Sequence, residues 1–336
     1  MSKLVIPKGY ESLLGKKDTQ KAIKTIKDTF QKTFSKALTL DRITAPLFVT
    51  KESGINDDLN GVERKVSFTI KNLDEKEAEV VQSLAKWKRQ ALYKYGYEIG
   101  EGIYTDMNAI RRDDDVDNMH SIFVDQWDWE KVISNEQRNF DFLKDVVRKI
   151  VNAIVDAQEE VCKIYPQVYF NIDRNVYFIT TQELEDMYPD LSPKERENKI
   201  IKEHHTVFLM QIGDVLKSGI KHDGRAPDYD DWALNGDIIF YNEILDCAFE
   251  ISSMGIRVNS VSLKEQLVKS NAKDRENFEF HKGILNNVYP LTIGGGIGQS
   301  RLCMFILRKA HIGEVHVSIW PDDMVKECKE NKINLL

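Results

Sequence analysis

Apolar residues recur three or four positions apart at Ile23, Ile26, Phe30, Phe34 and Leu38, a spacing that predicts one face of a helix over residues 17–38. A denser stripe, Leu143, Val146, Val147, Ile150, Val151, Ile154 and Val161, predicts a longer amphipathic helix over 140–164. Between them, LTLDRITAPLFVT reads as a strand ending at Pro46, which has no N–H to give to a central ladder. EVVQSLAKWKRQALYKY reads as a short strand running into a helix. AIRR and HSIFVDQWDWE read as two antiparallel strands joined by the long acidic connection DDDVDNM. Further strands are expected at VYFITT, TVFLMQI, GDIIFY and FEISSMGIRV, and a helical region over 261–286. The chain then closes with the glycine-rich strand TIGGGIG, the helix SRLCMFILRK and the strand VHVSIW. Helices and strands do not alternate regularly, so the expected class is α+β around an antiparallel sheet.

Alternation also sorts side chains by chemistry. Along VDQWDW, Val124, Gln126 and Asp128 share one strand face and Asp125, Trp127 and Trp129 the other. A strand face carrying an amide and a carboxylate suits the wall of a wet pocket, or else an exposed sheet edge. The glycines of TIGGGIGQSRL call for close backbone approach, yet neither nucleotide-loop pattern fits. The sixth position from Gly294 is Gln299, and no Gly-Lys-Ser/Thr follows. What remains is a flat floor leading into a helix whose first turn bears Arg301, either a phosphate-binding guanidinium or a surface arginine.

Composition narrows the choices. The chain has 336 residues, 42% hydrophobic and 30% charged, with a net charge of -7, which argues against non-specific nucleic-acid binding. Cys162, Cys247, Cys303 and Cys328 are far apart and the seven histidines form no H-E-x-x-H, so neither disulfides nor zinc are expected. No flavin or nicotinamide is expected. The opening MSKLVIPKGYESLLGKK lacks the apolar run of a signal peptide, and no stretch reaches membrane-span length, so a cytoplasmic location is expected. Asp237 and Glu250, on what read as neighbouring strands, suit Mg²⁺ held with substrate phosphates, or serve as cross-strand ion-pair partners. RAPDYDDW, with Asp228, Asp230 and Asp231, fits a metal site, a cation-binding lip or a plain turn, and DDDVD a solvated loop.

Together these blocks resemble the catalytic domain of class II aminoacyl-tRNA synthetases, especially the aspartyl branch. LTLDRITAP matches that family's proline-ended dimer motif, Arg111 with HSIFVDQWD its arginine-bearing strand and return strand, and GGGIGQSRL with Arg301 its glycine strand and helix. The resemblance is closer still to the ammonia-dependent aspartate–ammonia ligases (asparagine synthetase A type). QSLAKWKRQ, EGIYTDMNAIR, VDQWDWE, RAPDYDDW, LNGDI, FEISSMGIRV and TIGGGIGQSRL look like that family's blocks, running from about residue 40 to 320. The resemblance implies a single catalytic domain over 1–336 without an anticodon-binding domain, no tRNA partner and a homodimer. It implies synthesis of L-asparagine from L-aspartate, ammonia and ATP through a β-aspartyl adenylate, releasing AMP and diphosphate.

It also implies roles. Lys88 and Arg257 would clamp the α-carboxylate of aspartate, with Lys86 the alternative should Lys88 face outward from KWKR. Ser83, Gln126, Asp128 and Ser253 would complete the aspartate pocket, with Asp57, Gln126 and Asp128 near its amine. Arg111 would bridge the α-phosphate and the reacting carboxylate, and Asp230 would stand on the ammonia side. His120, Val124, Gly296 and Arg301 would line the ATP site with Asp237 and Glu250, the last two holding Mg²⁺. A glutamine-hydrolysing synthetase of the common type carries a cysteine after the initiator methionine; Ser2 stands there, so free ammonia is the expected donor. Two rivals are a synthetase-like paralogue adenylating an amino acid for another acceptor, and a non-catalytic regulatory paralogue.

Overall fold

The structure is a computed structural model that describes residues 4–57, 59 and 63–336; Ser2 lies outside the described residues. The first predicted helix forms as α1 (Lys16–Leu38). The proline-ended segment then splits into two three-residue strands, β1 (Leu40–Arg42) and β2 (Phe48–Thr50), that join different sheets on either side of Pro46. Strands β3 (Ser67–Ile70) and β4 (Lys76–Val80) complete a small sheet in the order β2-β4-β3. Helix α2 (Ala85–Tyr95) follows, stopped by Gly96 at φ 74°, a left-handed position that glycine adopts without strain.

The hairpin of the arginine block is longer than AIRR suggests. β5 (Gly102–Ile110) pairs antiparallel with β6 (Phe123–Val132), and Arg111 sits one residue past the end of β5, its N–H still bonded to the Ile122 carbonyl at 2.8 Å. Next come α3 (Phe140–Ile164), β7 (Tyr177–Thr180), α4 (Thr181–Met187), α5 (Pro193–Glu203) and β8 (Thr206–Met210). Two long strands, β9 (Asp230–Asn242) and β10 (Cys247–Arg257), lead into α6 (Ser260–Lys269) and α7 (Glu279–Leu285). The glycine strand is β11 (Thr292–Gly298), followed at once by α8 (Gln299–Ile306) and later by α9 (Asp322–Glu330).

The main sheet has the order β1-β5-β6-β11-β10-β9-β8-β7, antiparallel except at its two ends, where β1 runs parallel to β5 and β7 parallel to β8. This is the α+β architecture that the irregular alternation predicted. Its back face is covered by α1 and α3, which also pack on each other. Phe30 lies against Trp127 with ring centroids 4.6 Å apart, and Phe34 meets Trp129 edge-on at 6.0 Å. All four rings are fully buried, and each phenylalanine gains about 1.5–3 kcal/mol from that burial. The Trp face of β6 is therefore glued to the core, which forces Gln126 and Asp128 to the front.

One predicted strand is absent. VHVSIW forms a short turn and extended coil after α8, because its alternation faces no open sheet edge: Val317 and Ile319 point to solvent, while His316 is buried. Among the described residues no helix is long and apolar enough to cross a membrane.

Candidate active site

The front of the sheet is hollowed into a cavity of about 780 Å³ floored by β6, β11 and β10 and walled by α2, the loop after β5 and residues 223–230. Strand register sets the floor. Asp128 lies opposite Gly296, Gly296 opposite Ser253, and Ser253 opposite Asp237, one row across four strands. The glycines are empty places over which the β6 side chains lie. A Cβ on Gly294 would sit 2.0 Å from Glu130 Oε2, and one on Gly296 2.3 Å from Gln126 Oε1.

Register also explains a pairing that simple alternation forbids. Glu250 and Ser253 are three apart and would face opposite sides of a regular strand. β10 carries a bulge between Glu250 and Ser252, and both residues line the cavity.

Fourteen of the fifteen residues singled out from the sequence line this one cavity: Asp57, Ser83, Lys88, Arg111, His120, Val124, Gln126, Asp128, Asp230, Glu250, Ser253, Arg257, Gly296 and Arg301. The fifteenth, Asp237, is in the row but set back, its carboxylate held by Arg225 Nη2 at 2.7 Å. Burial, opposed by Arg225 and reinforced by the Glu250 charge, pushes Asp237 up to about 7. Hard oxygen donors whose pairing is electrostatically unfavourable fit a divalent cation that shares its shell with phosphates. Asp237 and Glu250 would hold Mg²⁺ in this way, with Arg225 yielding its place on Asp237.

The cations divide by how fully they are committed. In KWKR three basic residues are buried in three directions. Lys86 meets Asp228 at 3.4 Å, Lys88 donates to the Gly295 carbonyl at 3.0 Å with Asp128 at 3.3 Å, and Arg89 donates to the carbonyls of Val258 and Pro290. Lys88, not Lys86, thus faces the cavity. Burial pulls the Lys88 ammonium down, with Asp128 opposing. Arg257 is locked at its Nε edge by Glu130, which is itself fully buried and also accepts from Thr292 at 2.7 Å; its Nη1 pairs with Asp230. These carboxylates hold the Arg257 guanidinium well above the usual arginine range against the cost of its burial. Arg301 donates to the Glu250 carbonyl at 3.0 Å.

Arg111 differs. Its Nε is buried without a hydrogen-bond partner, and among the described residues no carboxylate pairs with its guanidinium. A guanidinium in a pocket wall with donors to spare, its charge felt by Asp114 without a direct ion pair among the described residues, suits an anion.

RAPDYDDW is neither a metal cluster nor a plain turn. Its three acids serve different basic partners: Asp228 meets Lys86, Arg275 and His281, Asp230 meets Arg257, and Asp231 meets Arg138. Among the described residues no group of three or more His, Cys, Asp or Glu could hold a metal. Part of the acidic loop after Arg111 is not simply solvated, because Asp113, Asp114, Asp115 and Asp117 line the cavity mouth. Two site residues carried no assigned role from sequence, Arg225 and Glu130. Glu130 had a readable signal, since the alternation through Gln126 and Asp128 continues to it.

Residues 17–332 match the protein-family profile described as aspartate-ammonia ligase, AsnA. Among similar chains, the aspartate–ammonia ligase of Ruminiclostridium cellulolyticum is 56% identical over 336 residues, all of both chains. That of Clostridium tetani is 57% identical over 334 residues, 99% of this chain and 98% of its own. Among solved structures, asparaginyl-tRNA synthetase of Entamoeba histolytica in complex with asparaginyl-adenylate superposes with a TM-score of 0.64 at 14% identity, covering 90% of this chain and 66% of that one. The asparaginyl-tRNA synthetase of Pyrococcus horikoshii complexed with asparaginyl-adenylate gives 0.63 at 15% identity, covering 90% and 70%. The structural likeness fixes the fold as that of a class II synthetase catalytic domain. The chain is a ligase and belongs to the aspartate–ammonia ligase family.

Proposed function

We propose that the enzyme makes L-asparagine from L-aspartate, ammonia and ATP by way of a β-aspartyl adenylate, releasing AMP and diphosphate. The observation that carries this reading is Arg111, whose guanidinium faces the same cavity as the Lys88, Gln126 and Asp128 cluster and, among the described residues, forms no ion pair. A carboxylate resists attack by ammonia, and adenylation supplies the missing leaving group. Arg111 would span the α-phosphate and the β-carboxylate and stabilise the charge that builds between them. Lys88 and Arg257 would grip the α-carboxylate. Because the Nη1 side of Arg257 now holds Asp230, the substrate carboxylate would exchange with Asp230 and free it to face ammonia and accept its proton. Asp57, Gln126 and Asp128 would receive the α-ammonium, with Ser83 and Ser253 completing the pocket. His120, Val124, Gly296 and Arg301 would form the nucleotide half. Mg²⁺, held by Asp237 and Glu250, would neutralise phosphate charge.

The test is product analysis with ammonium or glutamine as nitrogen source. Asparagine and AMP should appear in equal amounts with ammonium and be nearly absent with glutamine. ADP and orthophosphate as products would overturn the adenylate. AMP formation dependent on aspartate but indifferent to ammonia would favour transfer to another acceptor. The active unit is a two-fold homodimer in this reading, with α1 and the Pro46 segment at or near the interface. Sedimentation should give twice the 38.9 kDa chain mass, and a monomer mass counts against it.

A further inference from the structure

Lys86 is a buried cation that the reaction above does not use. It is 3% exposed and absent from the cavity lining, yet it stands directly behind the amine side of the site. Its Nζ lies 3.4 Å from the Gly54 carbonyl and 3.4 Å from Asp228 Oδ2, so it ties the 54–57 segment to the 223–230 wall through α2. Both tied segments reach the cavity, the first with Asp57 and the second with Arg225, Tyr229 and Asp230. Asp57 is 1% exposed; its Oδ1 accepts from the Leu59 N–H, and the Tyr229 hydroxyl stands beside the carboxylate without, among the described residues, closing a hydrogen bond to Oδ2. A buried carboxylate lining a cavity, with capacity to accept a further hydrogen bond, suits an N–H donor.

We propose that Lys86 is a positioning residue for amine recognition, its ammonium holding the Asp57 carboxylate at the cavity wall as an acceptor for the α-ammonium of aspartate. This rests on the reading of Asp57 as the amine's partner. The electrostatics agree with the geometry. Burial pushes Asp57 up, Lys86 is the main influence pulling it down, and Asp228 pushes it further up. The other groups around this cluster are the Tyr229 hydroxyl toward Asp57, and Arg275 and His281 behind Asp228. Protonated Asp57 would present a hydroxyl to a cation and lose the attraction. Aspartate binding should therefore weaken as pH falls through the Asp57 range. Removing the Lys86 charge should move that weakening to higher pH, and removing the Asp228 charge to lower pH.

The experiment is calorimetric binding of L-aspartate to the full chain across a pH series running upward from the ordinary carboxylate range, the direction in which burial moves Asp57. For a displacement of one pH unit, Lys86→Met should bind about tenfold more weakly than wild type on the acid side, with the gap closing at alkaline pH. Lys86→Arg should keep the wild-type midpoint, and Asp228→Asn should shift it the opposite way. Succinate, which lacks the amine, should show none of these displacements. A Lys86→Met loss that is equal at every pH overturns the proposal, as does an unmoved midpoint. If Lys86→Met does not fold, the sign of the Asp228→Asn shift decides the question: a midpoint that stays put or rises overturns it. Binding needs no turnover, so a protein that makes no asparagine but shows these shifts refutes only the reaction. One that makes asparagine with fixed midpoints refutes only the Lys86 role.

Discussion

Replacing Arg111 by alanine is expected to lower kcat by about 10²–10³, the loss of about 2.7–4 kcal/mol typical of removing a preorganised group aimed at developing charge. The guanidinium is not part of any ion pair among the described residues, so the fold does not rely on it for charge balance. Arg111→Ala should therefore keep the thermal midpoint of the wild type while losing aspartate-dependent exchange of diphosphate into ATP. That combination separates a transition-state contact from a structural one. Arg111→Ala with near-normal exchange would remove Arg111 from the reaction.

Arg257→Met should do the reverse, damaging stability as well as binding. Arg257 balances Glu130 and Asp230, respectively 0% and 1% exposed. Leaving buried carboxylates without their cation costs about 3–5 kcal/mol. Urea denaturation should register that loss, and the aspartate KM should rise beyond a measurable range. Arg257→Lys should recover part of the stability but not the binding. One ammonium cannot reproduce the fork that meets Glu130 at the Nε edge and Asp230 at Nη1. Full recovery of the aspartate KM by lysine would mean that only charge matters at this position.

These residues were unequally legible in the sequence. α1, α3 and the two-faced β6 declared themselves because tertiary packing reinforces their local period: Trp127 and Trp129 are buried by the same residues that give α1 its stripe. VHVSIW alternates equally well and forms no strand, since a strand also needs an edge, and alternation carries no information about edges. The bulge that turns Glu250 toward Ser253 is invisible for a related reason, being a property of the β9–β10 register. Most of the candidate residues that line the cavity stand in short blocks whose resemblance to a known family is specific. What those blocks withheld was partnership: Asp228, Asp230 and Asp231 look alike in RAPDYDDW, yet face a buried basic cluster, the cavity arginine and Arg138 respectively.

The lane left open by Gly294 and Gly296 has a consequence for how this pocket can be altered. In the proposed reaction recognition is written on β6, and β11 is the blank margin across which Gln126, Asp128 and Glu130 lean. A side chain added to the margin does not add a contact; it evicts the amide or carboxylate already lying there. Redesign toward a longer or shorter acid therefore has to proceed through the β6 positions and their mates Ser253 and Arg257 across the gap. The glycines serve as fixed spacing against which every such change is measured.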